Sequence, residues 1–215
     1  MKHDAFIADD QPVVRLGLRT LLADCTDLAF AGEAGDAHAA LAMVLAHEYH
    51  LLVLELSLPG RSGLELIKRF KAERPRLPVL VFTDQPEEMY AVRAIRAGAS
   101  GYLMKRSEPA IVLEAMRRVA NGSMWINQKV AELLATDPVR NGDHLPHTRL
   151  TDREYGIFSR IVSGAKLTQI ADELSLSIKT VSTHKSNILD KMTLSGQVDL
   201  VRYAIEHQLL GSDRG

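Results

Sequence analysis

The sequence predicts an α/β domain, a (βα)5 doubly wound parallel sheet, followed by an all-α domain of four helices. Short apolar runs alternate with amphipathic stretches over the first 122 residues, as in a parallel sheet with crossover helices. A polar, turn-rich stretch follows, and after it come four short amphipathic segments, two of them joined by a tight turn. We therefore expect an α/β domain at residues 1–122, a linker at 123–147 and a helical domain at 148–215.

Five apolar runs are expected to form the strands, at residues 5–8, 29–31, 51–54, 79–82 and 101–104. Apolar residues at helical spacing predict the buried faces of the helices between them. For the first, third and fifth helices these faces are Val13, Leu16 and Leu21, then Leu64, Ile67 and Phe70, then Ile111, Ala115, Met116 and Val119. Prolines fit the expected first turns and glycines the expected C-caps: Pro12, Pro86 and Pro109, and Gly98 and Gly122.

The helical domain begins with a capping box, because Thr151 is followed three residues later by Glu154. The helix that starts there is expected to end at Gly164. Further helices are expected at Thr168–Leu174, Ile178–Met192 and Val198–Leu210, with a turn at 175–177. Their expected buried faces are Ile170, Ala171 and Leu174, then Val181, Ile188, Leu189 and Met192, then Val201, Ile205 and Leu209. The pattern is that of a helix-turn-helix.

Composition excludes several classes of protein. The 215 residues carry 26 Lys and Arg against 27 Asp and Glu, a formal net charge of −1, so any nucleic-acid surface has to be local. The single cysteine, Cys25, cannot form an intrachain disulfide or a thiolate metal cluster, which predicts a reducing compartment and a packing role for Cys25. No apolar run approaches the roughly 18 to 20 residues of a membrane span, and the first residues do not form a signal peptide. We expect a cytoplasmic protein without a membrane partner.

Polar residues follow four of the five predicted strands. Asp9 and Asp10 follow the first, Glu55 the third, Thr83 the fourth and Lys105 the fifth. With the strand order 2-1-3-4-5 these residues converge at the carboxyl edge of the sheet, where ligands of open parallel sheets bind. Three clustered carboxylates repel one another unless a cation compensates them, and oxygen ligands favour Mg²⁺. The alternative is that these acids are only loop residues and helix caps.

These strand ends resemble the receiver domain of bacterial two-component response regulators over about residues 3–122. The motifs that carry the resemblance are Ala8-Asp9-Asp10, Glu55-Leu56-Ser57-Leu58-Pro59-Gly60, Thr83, Gly98-Ala99 and Tyr102-Leu103-Met104-Lys105. The resemblance implies Mg²⁺ binding by Asp9 and Asp10, acceptance of a phosphoryl group from a sensor histidine kinase at position 55, phosphoryl contact by Thr83 and Lys105, and a rotamer change of Tyr102.

Position 55 departs from the pattern of this family, in which the phosphoacceptor is Asp. The extra methylene of Glu55 moves the carboxylate by about an ångström, in a site where in-line transfer depends on finer placement than that. Three hypotheses follow: a natural regulator that is constitutively or otherwise switched, a laboratory substitution that mimics activation, or a side chain that only fills space. As a partial mimic engaging Thr83 and Lys105, Glu55 carries about one negative charge against roughly 1.5 to 2 for a phosphoryl group.

The predicted helix Ile178–Met192 presents short hydrogen-bonding side chains flanked by cations. Lysines neutralise phosphates while small polar groups reach base edges, so this composition suits a helix in the major groove, although a solvated helix face is the alternative. The motifs Leu150 to Glu154, Ile170-Ala171, Lys179-Thr180-Val181, His184, Ile188 and Lys191-Met192 resemble the LuxR-type helix-turn-helix of NarL/FixJ response regulators. The resemblance implies base contacts by Ser182, Thr183 and Ser186, phosphate contacts by Lys179, Thr180, Lys185 and Lys191, and a dimer contact by the last helix.

The sequence therefore predicts a transcriptional response regulator that binds double-stranded promoter DNA as a homodimer and is not an enzyme. One alternative is a Mg²⁺-dependent phosphotransferase, because the same sheet edge supports phosphoryl chemistry; against it, neither an Asp-x-Asp pair nor a Walker-type glycine loop is found. Another is a degenerate receiver that acts as a protein-interaction module. Trp125 is expected to pack the linker onto the α/β domain, and His144 and His147 to be solvated.

Overall fold

The strands lie in the order β2-β1-β3-β4-β5, all parallel, which confirms the predicted order. In this computed structural model the described residues are 2–135, 145–174, 176–207 and 209–210. They form two compact units, Met1–Val130 and Ala131–Gly215, each with buried apolar residues of its own. The strands are β1 His3–Ala8, β2 Leu28–Ala34, β3 Leu51–Leu54, β4 Val79–Thr83 and β5 Gly101–Met104.

Six helices are described up to residue 135. They are α1 Pro12–Ala23, α2 Ala37–Ala46, α3 Gly63–Glu73, α4 Glu87–Ala97, α5 Pro109–Ala120 and α6 Gln128–Ala135. The first four are the crossover helices of the doubly wound sheet, and α5 follows its last strand. Helix α6 falls inside the expected linker at 123–147, where no helix was predicted. The turn-rich stretch at 136–144, which includes His144, lies outside the described residues.

The predicted buried face of α1 is wrong at two of its three residues, while the third, Leu21, is half-buried and packs against the core. Val13 and Leu16 are 79% and 52% exposed, whereas Leu18 and Leu22 are buried. At 3.6 residues per turn, Leu18 and Leu22 share one face and the other two lie roughly opposite, so only one pair can face the sheet. Ile111, expected inside on α5, is 40% exposed. The other predicted core residues of α3 and α5 are buried: Leu64, Ile67, Phe70, Ala115, Met116 and Val119.

Trp125 extends the edge of the sheet beside β5. Its carbonyl accepts the Tyr102 amide at 3.0 Å, and its own amide donates to Ser100 O at 3.0 Å. A Cβ on Gly101 would lie 2.9 Å from the Trp125 carbonyl oxygen, so a larger residue there would displace this segment. The segment after α5 therefore packs on the sheet, as expected for Trp125. Cys25 is buried in the apolar core, also as expected.

The described residues from 145 onwards contain four α-helices, preceded by a 3-10 helix at Pro146–Arg149. They are α7 Asp152–Val162, α8 Leu167–Glu173, α9 Ile178–Met192 and α10 Gln197–Glu206. The capping box of Thr151 and Glu154 is present, and α9 has the predicted bounds. No helix in the described part of the chain is both long and apolar enough to cross a membrane.

Two expectations near the end of the chain are wrong. Helix α10 ends at Glu206, and its buried residues are Leu200, Tyr203 and Ala204, while Ile205 is 61% exposed and Val201 is half-buried. The expectation for His147 is wrong because of a contact that the sequence does not reveal: Nδ1 of His147 lies 2.8 Å from the hydroxyl of Tyr203. His147 is accordingly half-buried against α10 and not solvated.

Candidate functional site

The carboxyl ends of the central strands bring four predicted site residues together. Asp9, Glu55 and Lys105 directly follow β1, β3 and β5, and Thr83 is the last residue of β4. The sheet pairing continues one step beyond the strands, because the Glu55 amide donates to Ala8 O at 2.8 Å and the Lys105 amide to Thr83 O at 3.0 Å. These main-chain hydrogen bonds thus fix the positions of the Cα atoms of Glu55 and Lys105. We refer to these four residues as the switch site.

Every carboxylate oxygen of Glu55 has a partner. Oε1 accepts the Thr83 hydroxyl at 2.7 Å and the Ser57 amide at 2.7 Å. Oε2 lies 3.0 Å from Nζ of Lys105. The side chain is 4% exposed, so these bonds form away from water, where charge-assisted hydrogen bonds are strong. The longer acid therefore reaches both residues that were expected to contact a phosphoryl group.

Lys105 also pairs with Asp9, which forms the other wall of the site. Its Nζ lies 2.8 Å from Asp9 Oδ2, and Asp9 Oδ1 accepts the Gln11 amide at 2.9 Å. Asp10, in contrast, is exposed. Within the described residues, no group of three His, Cys, Asp or Glu side chains is placed to hold a metal ion, and Mg²⁺ binding by Asp9, Asp10 and Glu55 stays a prediction.

Lys105 compensates the two buried carboxylates in this arrangement. A Mg²⁺ ion bound directly to both Asp9 and Glu55 would lie against the ammonium group of Lys105, which is about 3 Å from each of them. The residues therefore fit Mg²⁺ only if Lys105 moves away from Asp9, from Glu55 or from both.

Burial and pairing shift the pKa values of these groups in opposite senses. Burial raises the pKa of Glu55 and of Asp9, and their contacts with Lys105 and with hydrogen-bond donors offset it in part. Burial alone would lower the pKa of Lys105, but its contacts with Asp9 and Glu55 raise it on balance. Lys105 is therefore held as a cation.

A chain of hydrogen bonds links Glu55 to Tyr102. Gln85 donates its amide to Thr83 Oγ1 at 3.2 Å and its side chain to Ser57 Oγ at 2.8 Å. The Tyr102 hydroxyl donates to Gln85 O at 2.7 Å, and the ring is 1% exposed. Burial raises the pKa of Tyr102, which keeps this hydroxyl a donor. Tyr102 is thus held inside by Gln85, which is joined to Glu55 through Thr83 and Ser57.

Ser57 and Gln85 were missed by sequence reasoning. Each stands two residues beyond a strand-end site residue, Ser57 after Glu55 and Gln85 after Thr83. That position is a usable signal, because a loop that leaves a strand turns back over the strand's last side chain within about two residues. Neither residue type is distinctive, so only the spacing could have identified them.

The start of α6 is attached to α4 close to this chain of hydrogen bonds. Nδ2 of Asn127 donates to Glu87 Oε1 at 2.7 Å, and its Oδ1 accepts the Val130 amide at 2.8 Å. Lys129 forms an ion pair with Glu88. Glu87 is the first residue of α4, two residues after Gln85. The segment that leaves the α/β unit is therefore held next to the loop that carries Gln85.

Helix α9 carries the predicted nucleic-acid contacts. Ser177 caps it, accepting the Thr180 amide at 3.0 Å and lying 2.8 Å from the Thr180 hydroxyl. Three of the predicted contact residues are exposed, namely Lys179, Thr183 and Ser186. The other four are half-buried, namely Thr180, Ser182, Lys185 and Lys191. His184 is half-buried as well, with an Nδ1 that has no hydrogen-bond partner among the described residues.

Several of these side chains already have partners within the domain. The hydroxyls of Thr183 and Ser186 donate to helix carbonyls four residues back, at 3.0 and 3.3 Å, which leaves their oxygens as acceptors. Lys185 Nζ lies 3.2 Å from Gln197 Oε1. Lys191 Nζ lies 2.7 Å from Oε2 of the buried Glu154. Lys191 therefore pairs with a buried carboxylate within the domain, in addition to any contact with phosphate.

A parallel five-stranded sheet with this acid, threonine and lysine site, followed by a helix-turn-helix, defines a DNA-binding two-component response regulator. The family description "Response regulator receiver domain" matches residues 5–117, and "Bacterial regulatory proteins, luxR family" matches residues 148–204. The chain belongs to the response regulators that combine these two domains.

Relatives of the chain match nearly its whole length. It is 37% identical over 206 residues to the transcriptional activator protein ExaE of Pseudomonas putida, covering 95% of this chain and 96% of that protein. It is 32% identical over 211 residues to the oxygen regulatory protein NreC of Staphylococcus carnosus, covering 95% and 97%. The fold is similar to that of the RcsB response regulator of Salmonella typhimurium, with a TM-score of 0.68 and 25% identity over 96% of this chain and 98% of that one.

Proposed function

We propose that this chain is a transcription regulator whose receiver is held in its switched conformation by Glu55, without phosphorylation by a sensor histidine kinase. It acts as a homodimer on double-stranded promoter DNA, in the cytoplasm, and catalyses no turnover. The DNA contacts come from Lys179, Thr180, Ser182, Thr183, Lys185, Ser186 and Lys191. A relative structure supports the partner class: RcsB bound to the promoter rprA in the presence of phosphomimetic BeF3-, with a TM-score of 0.64 and 25% identity.

One observation carries the switch proposal: the carboxylate of Glu55 contacts both Thr83, at 2.7 Å, and Lys105, at 3.0 Å. These are the residues expected to contact a phosphoryl group. A negative charge near that position shifts the equilibrium between two conformations of the receiver. The size of the shift equals the difference between the free energies of the contacts that the charge makes in the two conformations. The inward position of Tyr102 is the conformation that these contacts favour, because Gln85 joins the Tyr102 hydroxyl to Thr83 and Ser57.

The same geometry disfavours the enzyme alternative. A phosphotransferase needs a carboxylate that is free to attack and room for the transferred group in line with it. The carboxylate of Glu55 accepts two hydrogen bonds and an ion pair, and it is 4% exposed. A protein-interaction role for the receiver is compatible with the site, but it does not explain why α9 presents lysines and small hydroxyl side chains on one face.

The DNA interface follows from which groups α9 exposes. Lys179 is an exposed cation in the first turn, suited to a phosphate contact that is independent of sequence. Thr183 and Ser186 lie further along the same helix and expose hydroxyl oxygens that can accept from base edges. We propose that α9 enters the major groove with these two residues towards the bases. The homodimer is supported by a relative structure of two RcsB dimers on two DNAs.

The test of the DNA interface uses a duplex selected by the native chain from a random pool, followed by fluorescence anisotropy at several salt concentrations. Lys179→Ala should weaken binding to all duplexes and lower the salt slope by about one. Thr183→Ala should cost about 1 to 3 kcal/mol on the selected duplex and less on an unrelated one.

The matched controls lie in the receiver. Thr20→Ala on α1 removes a threonine whose hydroxyl, like that of Thr183, donates to the carbonyl four residues back, at 2.9 Å. Lys68→Ala removes an exposed lysine from α3. If the control variants and the α9 variants lose the same affinity, α9 is not the interface.

A further inference from the structure

The last turn of α9 has carbonyl groups that the helix itself cannot pair. Two of them accept the amides of the residues that follow the helix, Thr193 and Leu194, at 3.2 and 2.9 Å. A third, Lys191 O, accepts Nη2 of Arg149 at 2.8 Å. Arg149 lies 42 residues earlier in the chain, in the 3-10 helix Pro146–Arg149. This end of α9 is therefore fastened to a distant segment of the chain.

The same segment also holds the side chain of Lys191. Carbonyl groups at a helix C-terminus carry partial negative charge, so an arginine there contributes both a hydrogen bond and a favourable charge. Nζ of Lys191 lies 2.7 Å from Oε2 of Glu154, which also belongs to the capping box of α7. Residues 149–154 thus hold Lys191 by its main chain and by its side chain.

The 3-10 helix that carries Arg149 is itself anchored on α10. Nδ1 of His147 lies 2.8 Å from the hydroxyl of Tyr203, and the two rings have centroids 5.8 Å apart. Leu150, directly after the 3-10 helix, is buried. Arg149 therefore extends from a backbone that is fixed on both sides, although its own side chain is exposed.

The position of the last turn determines where the rest of α9 lies. Thr183 is eight residues before Lys191, about 12 Å along the helix axis. A rotation of α9 by about 5° about its last turn would move Thr183 by about 1 Å. A hydrogen bond to a base edge tolerates a change of only about half an ångström. Base contacts are therefore sensitive to how this end of α9 is held.

We propose that Arg149, anchored by the 3-10 helix, is a positioning residue for DNA recognition, because its hydrogen bond to Lys191 O sets the angle at which α9 enters the groove. This inference rests on the proposal that α9 is the DNA interface. Arg149 acts through α9 and not through a DNA contact of its own. Its effect falls on sequence-specific binding, since long lysine side chains follow a small tilt whereas short side chains at base edges do not.

The test is fluorescence anisotropy of the full chain on the selected duplex and on an unrelated one, at several salt concentrations and well below the Tm of each variant. Arg149→Met removes the donor and keeps an apolar stem. It should weaken binding to the selected duplex by about threefold to tenfold, change binding to the unrelated duplex by less than about twofold and leave the salt slope unaltered. A lowered Tm with both affinities unchanged would show that the bond only stabilises the domain, and would overturn the proposal.

A direct phosphate contact is the competing explanation, because Arg149 is an exposed cation. In that case Arg149→Met would weaken binding to both duplexes and lower the salt slope by about one, which would also overturn the proposal. The matched control is Arg74→Met in the receiver, where Nη2 of Arg74 donates at 2.8 Å to Leu45 O in the last turn of α2. It should leave both affinities unchanged, and equal effects of the two variants would contradict a role for α9.

Tyr203→Phe tests the anchor of the 3-10 helix. It removes the hydroxyl that contacts His147 and keeps the ring. It should weaken binding to the selected duplex by about twofold to fivefold when Arg149 is present, and by less than about twofold in Arg149→Met, because the loosened 3-10 helix then no longer acts on α9. Equal losses in both backgrounds would overturn the 3-10 helix as the link.

Thr183→Ala, measured beside these variants, separates this proposal from the DNA interface on which it rests. If Thr183→Ala loses affinity for the selected duplex and Arg149→Met does not, α9 is the interface but Arg149 does not position it. If neither variant loses affinity, α9 is not the interface and the role of Arg149 is overturned with it. Circular dichroism confirms that each variant is folded.

Discussion

Nζ of Lys105 lies 3.0 Å from Oε2 of Glu55, inside a site that is almost closed to water. The same ammonium group lies 2.8 Å from Asp9. Two buried carboxylates therefore share one cation supplied by the chain itself. Because Glu55 is longer than the aspartate of the family pattern, its other oxygen still reaches Thr83. This contact set is the physical basis of the proposal that Glu55 stands in for a phosphoryl group.

The hydrogen bond from Thr83 to Glu55 should contribute measurably to stability. Thr83→Val preserves shape but leaves Glu55 with one donor fewer in a buried site, so the free energy of unfolding should fall by about 1.5 to 3 kcal/mol. Thr83→Ser keeps the hydroxyl and should lose less. Urea unfolding followed by Trp125 fluorescence measures both. An unchanged stability in Thr83→Val, or a larger loss in Thr83→Ser than in Thr83→Val, would contradict this contribution of the hydrogen bond.

Mg²⁺ should compete with Lys105 for the same carboxylates. The native chain should therefore gain little thermal stability from millimolar Mg²⁺. Lys105→Met removes the competing ammonium group and leaves Asp9 and Glu55 without their cation, so Mg²⁺ should raise its Tm by more than it raises the native Tm. Differential scanning fluorimetry with Mg²⁺ and with EDTA measures the difference. A larger Mg²⁺ effect on the native chain would contradict the competition.

The attachment of α6 to α4 should depend on the neutral side chain of Asn127. Asn127→Asp places a carboxylate against Glu87, and the lost hydrogen bond together with the repulsion should raise amide exchange of residues 128–135 by about tenfold. Asn121→Asp makes the same charge change at the exposed C-cap of α5 and should leave that exchange unaltered. Hydrogen–deuterium exchange compares the two variants. Equal protection in both would remove the proposed role of Asn127.

The second unit should lose stability in acid through Glu154. Burial alone would raise the pKa of Glu154, but hydrogen bonds from Lys191 and Thr151 lower it on balance from its ordinary value of 4.5. A depressed pKa means that the stabilisation is fully present above pH 4.5 and is lost as pH falls through the lower folded value. Glu154→Gln should therefore weaken the domain at neutral pH and flatten its acid dependence.

NMR signals of Tyr155 and Tyr203 during urea unfolding report on this unit alone. The control is Glu173→Gln, which removes an exposed carboxylate paired with Arg160 at 2.8 Å. An acid dependence that Glu154→Gln leaves unchanged would show that other carboxylates cause it.

Strand order, the strand-end residues and the bounds of α9 were predictable because they depend on local patterns. A buried parallel strand is a continuous apolar run, so the polar residue that follows it can be identified in the sequence. The start of α9 can be identified because a serine caps it. The contact of Lys105 with Glu55 was among the sequence-based hypotheses, but its contact with Asp9 was not predictable, because a long flexible side chain can reach several groups. The same holds for His147 and Tyr203, which are 56 residues apart and meet through tertiary packing.

The face of α1 and the presence of α6 show a different limit. Apolar residues occur on both sides of α1, and their spacing alone does not indicate which side packs against the sheet. Val13 and Leu16 lie on the exposed side. Helix α6 has only eight residues and is anchored by Asn127 and Lys129, whose contacts with α4 depend on the folded sheet. Short helices gain most of their stability from such packing and not from their own sequence.

A DNA-binding titration tests whether Glu55 holds the receiver in its switched conformation. A DNA duplex selected by the native chain is titrated by fluorescence anisotropy with the native chain and with Glu55→Asp, each with and without Mg²⁺ and a small phosphodonor, at one salt concentration. We expect the native chain to bind tightly with or without the donor, and Glu55→Asp to bind tightly only with the donor. Weak binding by the native chain under every condition, with a donor response only in Glu55→Asp, would show that Glu55 does not hold the receiver switched.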